Sequence, residues 1–270
     1  MLQVRILGCG SSGGVPRIGG DWGVCDPAEP KNRRSRCSIL VHYSEQGAEG
    51  MTQVLIDTSP DLREQLLAAG TKRLDGVVYT HDHADQSHGI DDLRALAYRA
   101  GGQLRCWMDG PTRDNLVSRF GYCFAKPEGR VHPPILDLQP TMQDGRAFTV
   151  DGPGGALRVE PFVASHGPGP TLGLILNGEV AYSPDVHEIA DTTLTRLRGV
   201  KLWICDALRY HPHPTHAHAD KSLMWQARTG VPDMILTNLH IDMDYATLSA
   251  ELPGGQSLAW DGREIVVGTL

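Results

Sequence analysis

Residues 80–89 read THDHADQSHG and place three histidines and two aspartates in one short stretch. A surface turn needs polar side chains but has no use for several imidazoles. Divalent metals, in contrast, are commonly bound by neutral imidazole nitrogens together with carboxylate oxygens. A polar loop with incidental histidines is the alternative, but this density of ligand types favours one half of a metal site.

The segment lies between two elements that would fix its position. LDGVVY at 74–79 is an apolar, β-branched run typical of a buried strand, and GIDDLRALAYRA at 89–100 has helical periodicity. The histidines therefore lie on a loop that leads from a strand to a helix. Binding residues are commonly carried on such loops, because the rigid elements on either side hold them in place.

Further ligands are expected at the ends of other strands, because side chains there converge on one rim of a sheet. His166 follows the run ending in VAS, Asp185 follows AYSP, and His240 follows MILTNL. A lone histidine at a strand end is usually a surface residue, and a lone aspartate is often a helix cap. The occurrence of all three, in this order after a His-x-His-x-Asp loop, indicates a shared site.

This order of residues resembles the metallo-β-lactamase-fold hydrolases over most of the chain. The resemblance implies an α/β fold, a four-layer αββα sandwich formed by a single domain over residues 1–270, with the site at one edge of the two sheets. It also implies two divalent metal ions, zinc or manganese. In this assignment one ion is held by His81, His83 and His166, the other by Asp85 and His240, and Asp185 bridges them.

The sequence departs from the usual His-x-His-x-Asp-His motif at Gln86, and a further histidine follows at His88. An amide oxygen is a poorer zinc ligand than imidazole but suits a harder ion such as manganese, so the second metal could be weaker or different. His88 could instead replace the missing histidine. In a third interpretation, Gln86 only hydrogen-bonds a metal-bound water.

Four further segments narrow the resemblance: GCGSSGGVP (8–16), GIDDLR (89–94), HPTH (213–216) and TNLHIDMDY (237–245). They are similar to the branch that contains the phosphoribosyl cyclic-phosphate phosphodiesterase of the carbon-phosphorus lyase pathway, a branch related to ribonuclease Z. This similarity implies hydrolysis of a small cyclic or nucleotide-like phosphodiester by a metal-bridging hydroxide. We predict catalytic roles for His213 as general acid, for His216 as its partner and for Asp85. The alternative is that His213 is only one polar residue of the surface loop HPHPTHAH and has no catalytic role.

Two other features allow both a functional and a structural interpretation. Asp57 ends the run QVLID, where it could orient a ligand histidine or cap the following helix. The glycine-rich SSGGVP at 11–16 could present backbone N–H groups to a phosphate, or it could be only a tight turn. The arginines of NRRSR at 32–36 are left out of the catalytic set, because a short basic run is more often a solvated face.

Apolar runs rich in β-branched residues recur along the chain, and helical patterns fall between some of them. Asn177-Gly178 is a strong hairpin signal, and the segments 126–134 and 151–155 are predicted to be long loops. Strands are predicted at 4–7, 38–43, 53–57, 76–80, 104–108, 157–165, 172–176, 179–183, 201–207, 234–239 and 264–268, with helices at 60–69, 89–99, 111–119, 187–197, 217–228 and 244–251.

Composition limits the classes of function. The 270 residues carry 25 basic and 32 acidic side chains, a net charge of −7, which disfavours a broad surface for nucleic-acid phosphates. We therefore expect a small phosphodiester or nucleotide as partner and consider RNA unlikely. No window approaches a membrane span, six scattered cysteines do not imply disulfides, and we expect a cytoplasmic protein that could form a homodimer. The alternatives are a ribonuclease Z-like RNA-processing nuclease and an inactive metal- or nucleotide-binding module.

Overall fold

The computed structural model describes residues 1–126, 128–129 and 131–268. Within them the strands form two sheets of seven strands each. The strands of the first sheet are β1 (Leu2–Gly8), β2 (Ser38–Tyr43), β3 (Thr52–Ile56), β4 (Gly76–Val78), β5 (Leu104–Trp107), β6 (Leu136–Leu138) and β14 (Glu264–Val267). Their order in the sheet is β14-β1-β2-β3-β4-β5-β6.

The second sheet contains β7 (Phe148–Gly152), β8 (Gly155–His166), β9 (Gly169–Leu176), β10 (Val180–Ser183), β11 (Leu202–Asp206), β12 (Asp233–Thr237) and β13 (Gln256–Leu258). Its order is β13-β12-β11-β10-β9-β8-β7. In each sheet an antiparallel part continues into a parallel part: β3 to β6 are parallel in the first, and β10 to β13 in the second. The carboxyl ends of the parallel strands therefore meet at one edge of each sheet.

The helices are α1 (Leu62–Ala68), α2 (Ala84–Ser87), α3 (Arg94–Ala100), α4 (Gly110–Phe124), α5 (Asp191–Arg196), α6 (Ala219–Thr229) and α7 (Tyr245–Glu251). Short 3₁₀ segments lie at Pro30–Asn32 and Ile90–Leu93. In the described residues, no helix combines the length and the apolar character needed to cross a membrane.

Three apolar clusters define four layers. The inner faces of both sheets form the central core, which includes Val54 and Ile56 from the first sheet and Leu174 from the second. The outer face of the first sheet packs against α1, α3 and α4, and the outer face of the second packs against α5, α6 and α7. The predicted αββα sandwich is confirmed.

Each run predicted to be a strand forms one, and each predicted helix is present with altered ends. The turn at Asn177-Gly178 joins β9 to β10, with φ of 50° and 70° at its two residues. Three short strands, β6, β7 and β13, were not predicted, because short runs carry little periodicity. The long loop predicted at 151–155 is wrong: those residues end β7 and begin β8 in a tight hairpin. In the predicted 126–134 loop, positions 127 and 130 lie outside the described residues.

Candidate metal centre

Three histidines converge at the edge where the strands end. His81 and His83 follow β4, and His166 is the last residue of β8. Each can offer a ring nitrogen such that these atoms lie within 4.8 Å of one another. His166 Nε2 is 3.1 Å from His83 Nδ1. His83 and His166, which are 83 positions apart in the chain, are thus brought together because the strands that lead to them, one in each sheet, end at the same edge.

The orientation of His81 is set by a buried chain of hydrogen bonds. Asp57, at the end of β3 and 0% exposed, accepts from the Thr80 backbone N–H at 2.8 Å and from the Thr80 hydroxyl at 2.9 Å. The same hydroxyl lies 3.0 Å from His81 Nδ1. Because the hydroxyl already donates to Asp57, it accepts from Nδ1–H, which leaves the lone pair on Nε2. That Nε2 is buried and has no hydrogen-bond partner among the described residues.

His166 is oriented in the same way by a carbonyl. Its Nδ1 lies 2.7 Å from the backbone oxygen of Thr215, so Nδ1 carries the proton and Nε2 offers its lone pair to the centre. Burial, together with the neighbouring imidazole of His216, lowers the pKa of His166 to about 4. Burial also lowers the pKa of His81 well below its usual value. Both rings are therefore neutral near pH 7, which is the state a metal requires.

Asp185 follows β10 and is 2% exposed. Its Oδ2 lies 3.8 Å from His81 Nε2, a separation that allows both atoms to ligate one ion. The same oxygen accepts from Gln86 Nε2 at 2.7 Å, and Oδ1 accepts from Asn238 Nδ2 at 2.8 Å. Burial raises the pKa of Asp185 well above its usual range, and the nearby carboxylate of Asp85 raises it further.

His216 lies beside Asp185 in a second group of candidate ligands that also contains His166. Its Nδ1 is 2.8 Å from Asp206 Oδ2 and 3.4 Å from Asp185 Oδ1. Burial opposes protonation, but the adjacent Asp206 carboxylate outweighs it and raises the pKa of His216 to about 9. The predicted catalytic partner thus stands closer to the centre than the predicted ligand His240.

His240 is not part of either group of ligands in the described structure. It follows β12, but its Nε2 contacts Arg17 and its Nδ1 lies 2.9 Å from Asp242. The residue that β12 does direct toward Asp185 is Asn238, which has a positive φ of 63°. Asparagine tolerates this left-handed conformation better than most residues.

The other sequence candidates are also located. His88 is exposed, with its ring 5.4 Å from that of Phe120, whereas Gln86 is fully buried at Asp185. Of the two residues considered for the sixth motif position, the structure therefore brings only Gln86 to the centre. His213 lies next to His216, with ring centroids 5.2 Å apart.

These side chains line an open cleft of about 330 Å³. Ser12, from the glycine-rich segment, also lines it. In that segment the backbone N–H groups of Gly10, Ser11, Gly14 and Val15 donate to carbonyl oxygens of the protein. Six of the predicted ligand and catalytic residues face the cleft: His81, His83, Asp85, His166, Asp185 and His216.

The three-histidine set fits a divalent ion. It offers imidazole nitrogens within 4.8 Å of one another, and a buried ligand nitrogen such as His81 Nε2 without a partner is costly unless a ligand or ion satisfies it. Asp185 is the nearest carboxylate to His81 in this set, with Oδ2 3.8 Å from His81 Nε2, and would be the fourth ligand.

The structure does not bring together the ligands predicted for the second ion. Its predicted ligand His240 contacts Arg17 and Asp242 instead, and it does not line the cleft that holds Asp85. Asp185 is the carboxylate predicted to bridge the two ions. Both of its oxygens accept hydrogen bonds from side-chain amide N–H groups.

Sequence reasoning missed Thr80, Asp206 and Asn238. Asp206 is the last residue of β11, as His166 is of β8, so the rule applied to the other strand ends would have found it. Asn238 follows β12 in the same manner, but His240 carried the more obvious ligand chemistry. The hydroxyl of Thr80 carries no signal that distinguishes it from any other threonine close to a strand end.

The fold and the site together define a metal-binding αββα sandwich of the hydrolase type. A family model described as beta-lactamase superfamily domain matches residues 52–241. The chain belongs to this superfamily.

The chain is also similar to individual proteins. The chain is 32% identical over 271 residues to an octanoyltransferase of Porphyromonas gingivalis, covering 98% of this chain but only 52% of that protein. It thus spans about half the length of that relative. A crystal structure of a new diphosphatase from the PhnP family is 32% identical, with a TM-score of 0.86, covering 99% of this chain and 98% of that one. The short form of human tRNase Z shares the fold, at 13% identity and a TM-score of 0.64 over 99% and 100% of the two chains.

Proposed function

We propose that this chain is a metal-dependent hydrolase that cleaves a small, nucleotide-like phosphodiester. The observation that carries the proposal is the group of three histidines, with the partnerless Nε2 of His81, in a cleft with His216 at its side. A divalent ion bound there would act as a Lewis acid, neutralising charge on the phosphoryl oxygens and activating a water nucleophile.

The protein's own residues supply orientation and proton transfer. The backbone N–H of Thr215 points at His213 Nδ1 at 3.3 Å, and its hydroxyl lies 3.1 Å from the same nitrogen. Because Nδ1 accepts from the backbone N–H, the proton of the neutral ring is on Nε2, where it can be donated to a leaving oxygen. His216, held by Asp206, would stabilise negative charge on the substrate beside it.

The glycine-rich segment would contribute to phosphate binding only at its tip. Its N–H groups at Ser11, Gly14 and Val15 are bonded within the protein, which leaves Ser12, the residue of this segment that lines the cleft, as the candidate donor to a phosphate. The arginines of 32–36 give little support: Arg34 is buried, and Arg36 is paired with Asp61 at 2.8 Å.

Zinc is the ion we propose for the three-histidine set, because imidazole nitrogens suit zinc better than the harder manganese ion. We also propose a cytoplasmic location and a homodimer, as expected from the sequence. Size-exclusion chromatography with light scattering checks the homodimer.

Hydrolysis of a phosphoric anhydride is a second candidate. It is favoured by the similarity to the new diphosphatase of the PhnP family, which extends over nearly the whole of both chains. Metal and general acid would serve this reaction in the same way. A ribonuclease Z-like activity on RNA is less well supported, because the net charge is −7 and the cleft is only about 330 Å³.

The test is a panel of substrates offered to zinc-loaded protein: bis(p-nitrophenyl) phosphate, a 2′,3′-cyclic nucleotide, a dinucleoside diphosphate and a precursor tRNA. We expect turnover of the first two, loss of turnover after chelation, and loss in His166→Ala. The matched control is His132→Ala, which removes an exposed histidine that does not line the cleft. Turnover of the diphosphate alone would favour the second candidate, and metal binding with no turnover of any substrate would indicate an inactive module.

A further inference from the structure

The carboxylate of Asp185 is held from both sides by neutral amides. Gln86 donates to Oδ2 at 2.7 Å and Asn238 donates to Oδ1 at 2.8 Å. All three side chains are at most 2% exposed. Hydrogen bonds to a carboxyl group in so dry an environment are strong, and breaking one leaves an unpaired buried group.

An amide NH₂ group is a poor partner for a metal. It carries two donors, and its nitrogen lone pair is delocalised, so it offers no ligand atom. A second cation that approached Asp185 from this side would meet the positive ends of two N–H dipoles. Asn238, just after β12, has a φ of 63°. This backbone turn places the side chain of Asn238, and not that of His240, next to Asp185.

The amide oxygens present the competing possibility. Gln86 Oε1 and Asn238 Oδ1 are buried and have no hydrogen-bond partner among the described residues. If both amides turned over, these oxygens would face the carboxylate oxygens at the same 2.7 and 2.8 Å. Acceptor would then oppose acceptor, which is repulsive unless a hard cation lies between them.

The other candidate donors do not build a separate site. His240 contacts Arg17 and Asp242 and does not line the cleft. His216 Nδ1 lies 2.8 Å from Asp206, which leaves Nε2 as its ligand atom, but the group of candidate ligands that contains His216 shares both His166 and Asp185 with the ligands of the first ion. Asp85 is the one further carboxylate among the described residues that line the cleft.

We infer that the centre takes one divalent ion, bound by the three histidines and Asp185, and that Gln86 and Asn238 stabilise Asp185 where a second ion would otherwise be needed. They are positioning residues, since they act on the ion through Asp185. The inference rests on the metal-centre part of the proposed function and is independent of the reaction catalysed.

The experiment counts ions in the full chain. Protein stripped by chelation is reloaded with excess Zn²⁺ or with excess Mn²⁺, desalted, and measured by native mass spectrometry and by elemental analysis. The test variant is Gln86→His with Asn238→His, which replaces both amide donors by imidazoles. The matched control is Gln46→His with Asn115→His, which makes the same two changes at exposed positions.

We expect one ion per chain in the wild type with either metal, two in the test variant and one in the control. Two ions in the wild type would overturn the inference and assign the amide oxygens as ligands of a hard cation. No ion in the wild type would overturn the metal centre itself, and with it the proposed function. A folded test variant that still holds one ion would remove the role given to the amides.

If the test variant does not fold, the wild-type count still decides the number of ions. Electron paramagnetic resonance of the Mn²⁺-loaded wild type gives an independent answer. An isolated ion shows resolved hyperfine lines, as we expect, whereas a spin-coupled pair would contradict the single-ion centre.

Discussion

Replacing Thr80 by valine tests whether the buried chain from Asp57 to His81 controls metal affinity. Valine has nearly the shape of threonine but lacks the hydroxyl that lies 2.9 Å from Asp57 Oδ2 and 3.0 Å from His81 Nδ1. The backbone N–H of residue 80 would still donate to Asp57 Oδ1. The change therefore removes the link between carboxylate and imidazole while it leaves the backbone in place.

The magnitude follows from what that link does. A hydrogen bond that fixes the tautomer of a ligand histidine is typically worth about 10–100-fold in metal affinity. At about 1.4 kcal/mol per tenfold, this amounts to roughly 1.4–2.8 kcal/mol of binding free energy. The metal-free protein should also lose about 1–3 kcal/mol of unfolding free energy, because Asp57 Oδ2 and the His81 Nδ1–H are left buried and unpaired.

The assay is a competition titration of metal-free protein with a chromophoric zinc chelator, with urea unfolding of the metal-free form as the stability measurement. Thr80→Ser is the control, since it keeps the hydroxyl and should bind zinc nearly as tightly as the wild type. Zinc affinity of Thr80→Val equal to that of the wild type would refute the reasoning. Equal losses of affinity in both variants would show that the methyl group, and not the hydroxyl, matters.

Three further predictions concern other parts of the site and its support. Asp185→Asn should lower metal binding and activity far more than His88→Ala, and loss of metal from His88→Ala in elemental analysis would reverse this assignment. His213→Ala should retain its ion but lose about 10²–10⁴-fold in turnover of an alkyl phosphodiester, with a nitrophenyl ester spared; equal losses on both substrates would exclude a general acid. Asp244 caps α7, and hydrogen bonds from Thr247, Asp26 and Asn32 outweigh burial and lower its pKa to about 2. Asp244→Ala should therefore cost about 0.5–2 kcal/mol in urea unfolding near pH 7. This difference should be fully present above about pH 4 and fade as the pH falls toward 2; a difference that is independent of pH would contradict the role of the carboxylate.

Much of the centre was predictable from the sequence, because the signals that matter there are local. The His-x-His-x-Asp spacing lies directly after a strand, so the covalent chain alone brings His81 and His83 to the same loop. His166 and Asp185 were found by one rule, that polar residues at the ends of buried strands meet at a sheet edge. The hydrophobic runs likewise predicted most strands, because burial on both faces leaves a pattern that survives in the sequence.

What the tertiary structure decided is which side chain after a strand points inward. Asn238 and His240 are two residues apart, and ligand chemistry alone favours His240. The positive φ of Asn238 turns its amide toward Asp185, while His240 is drawn to Arg17 and Asp242. Such a choice depends on a single backbone angle and on a partner, Arg17, that lies 223 positions from His240 in the chain. Neither quantity leaves a periodic trace in the sequence, so the number of ions that the centre can hold could be argued only from the folded structure.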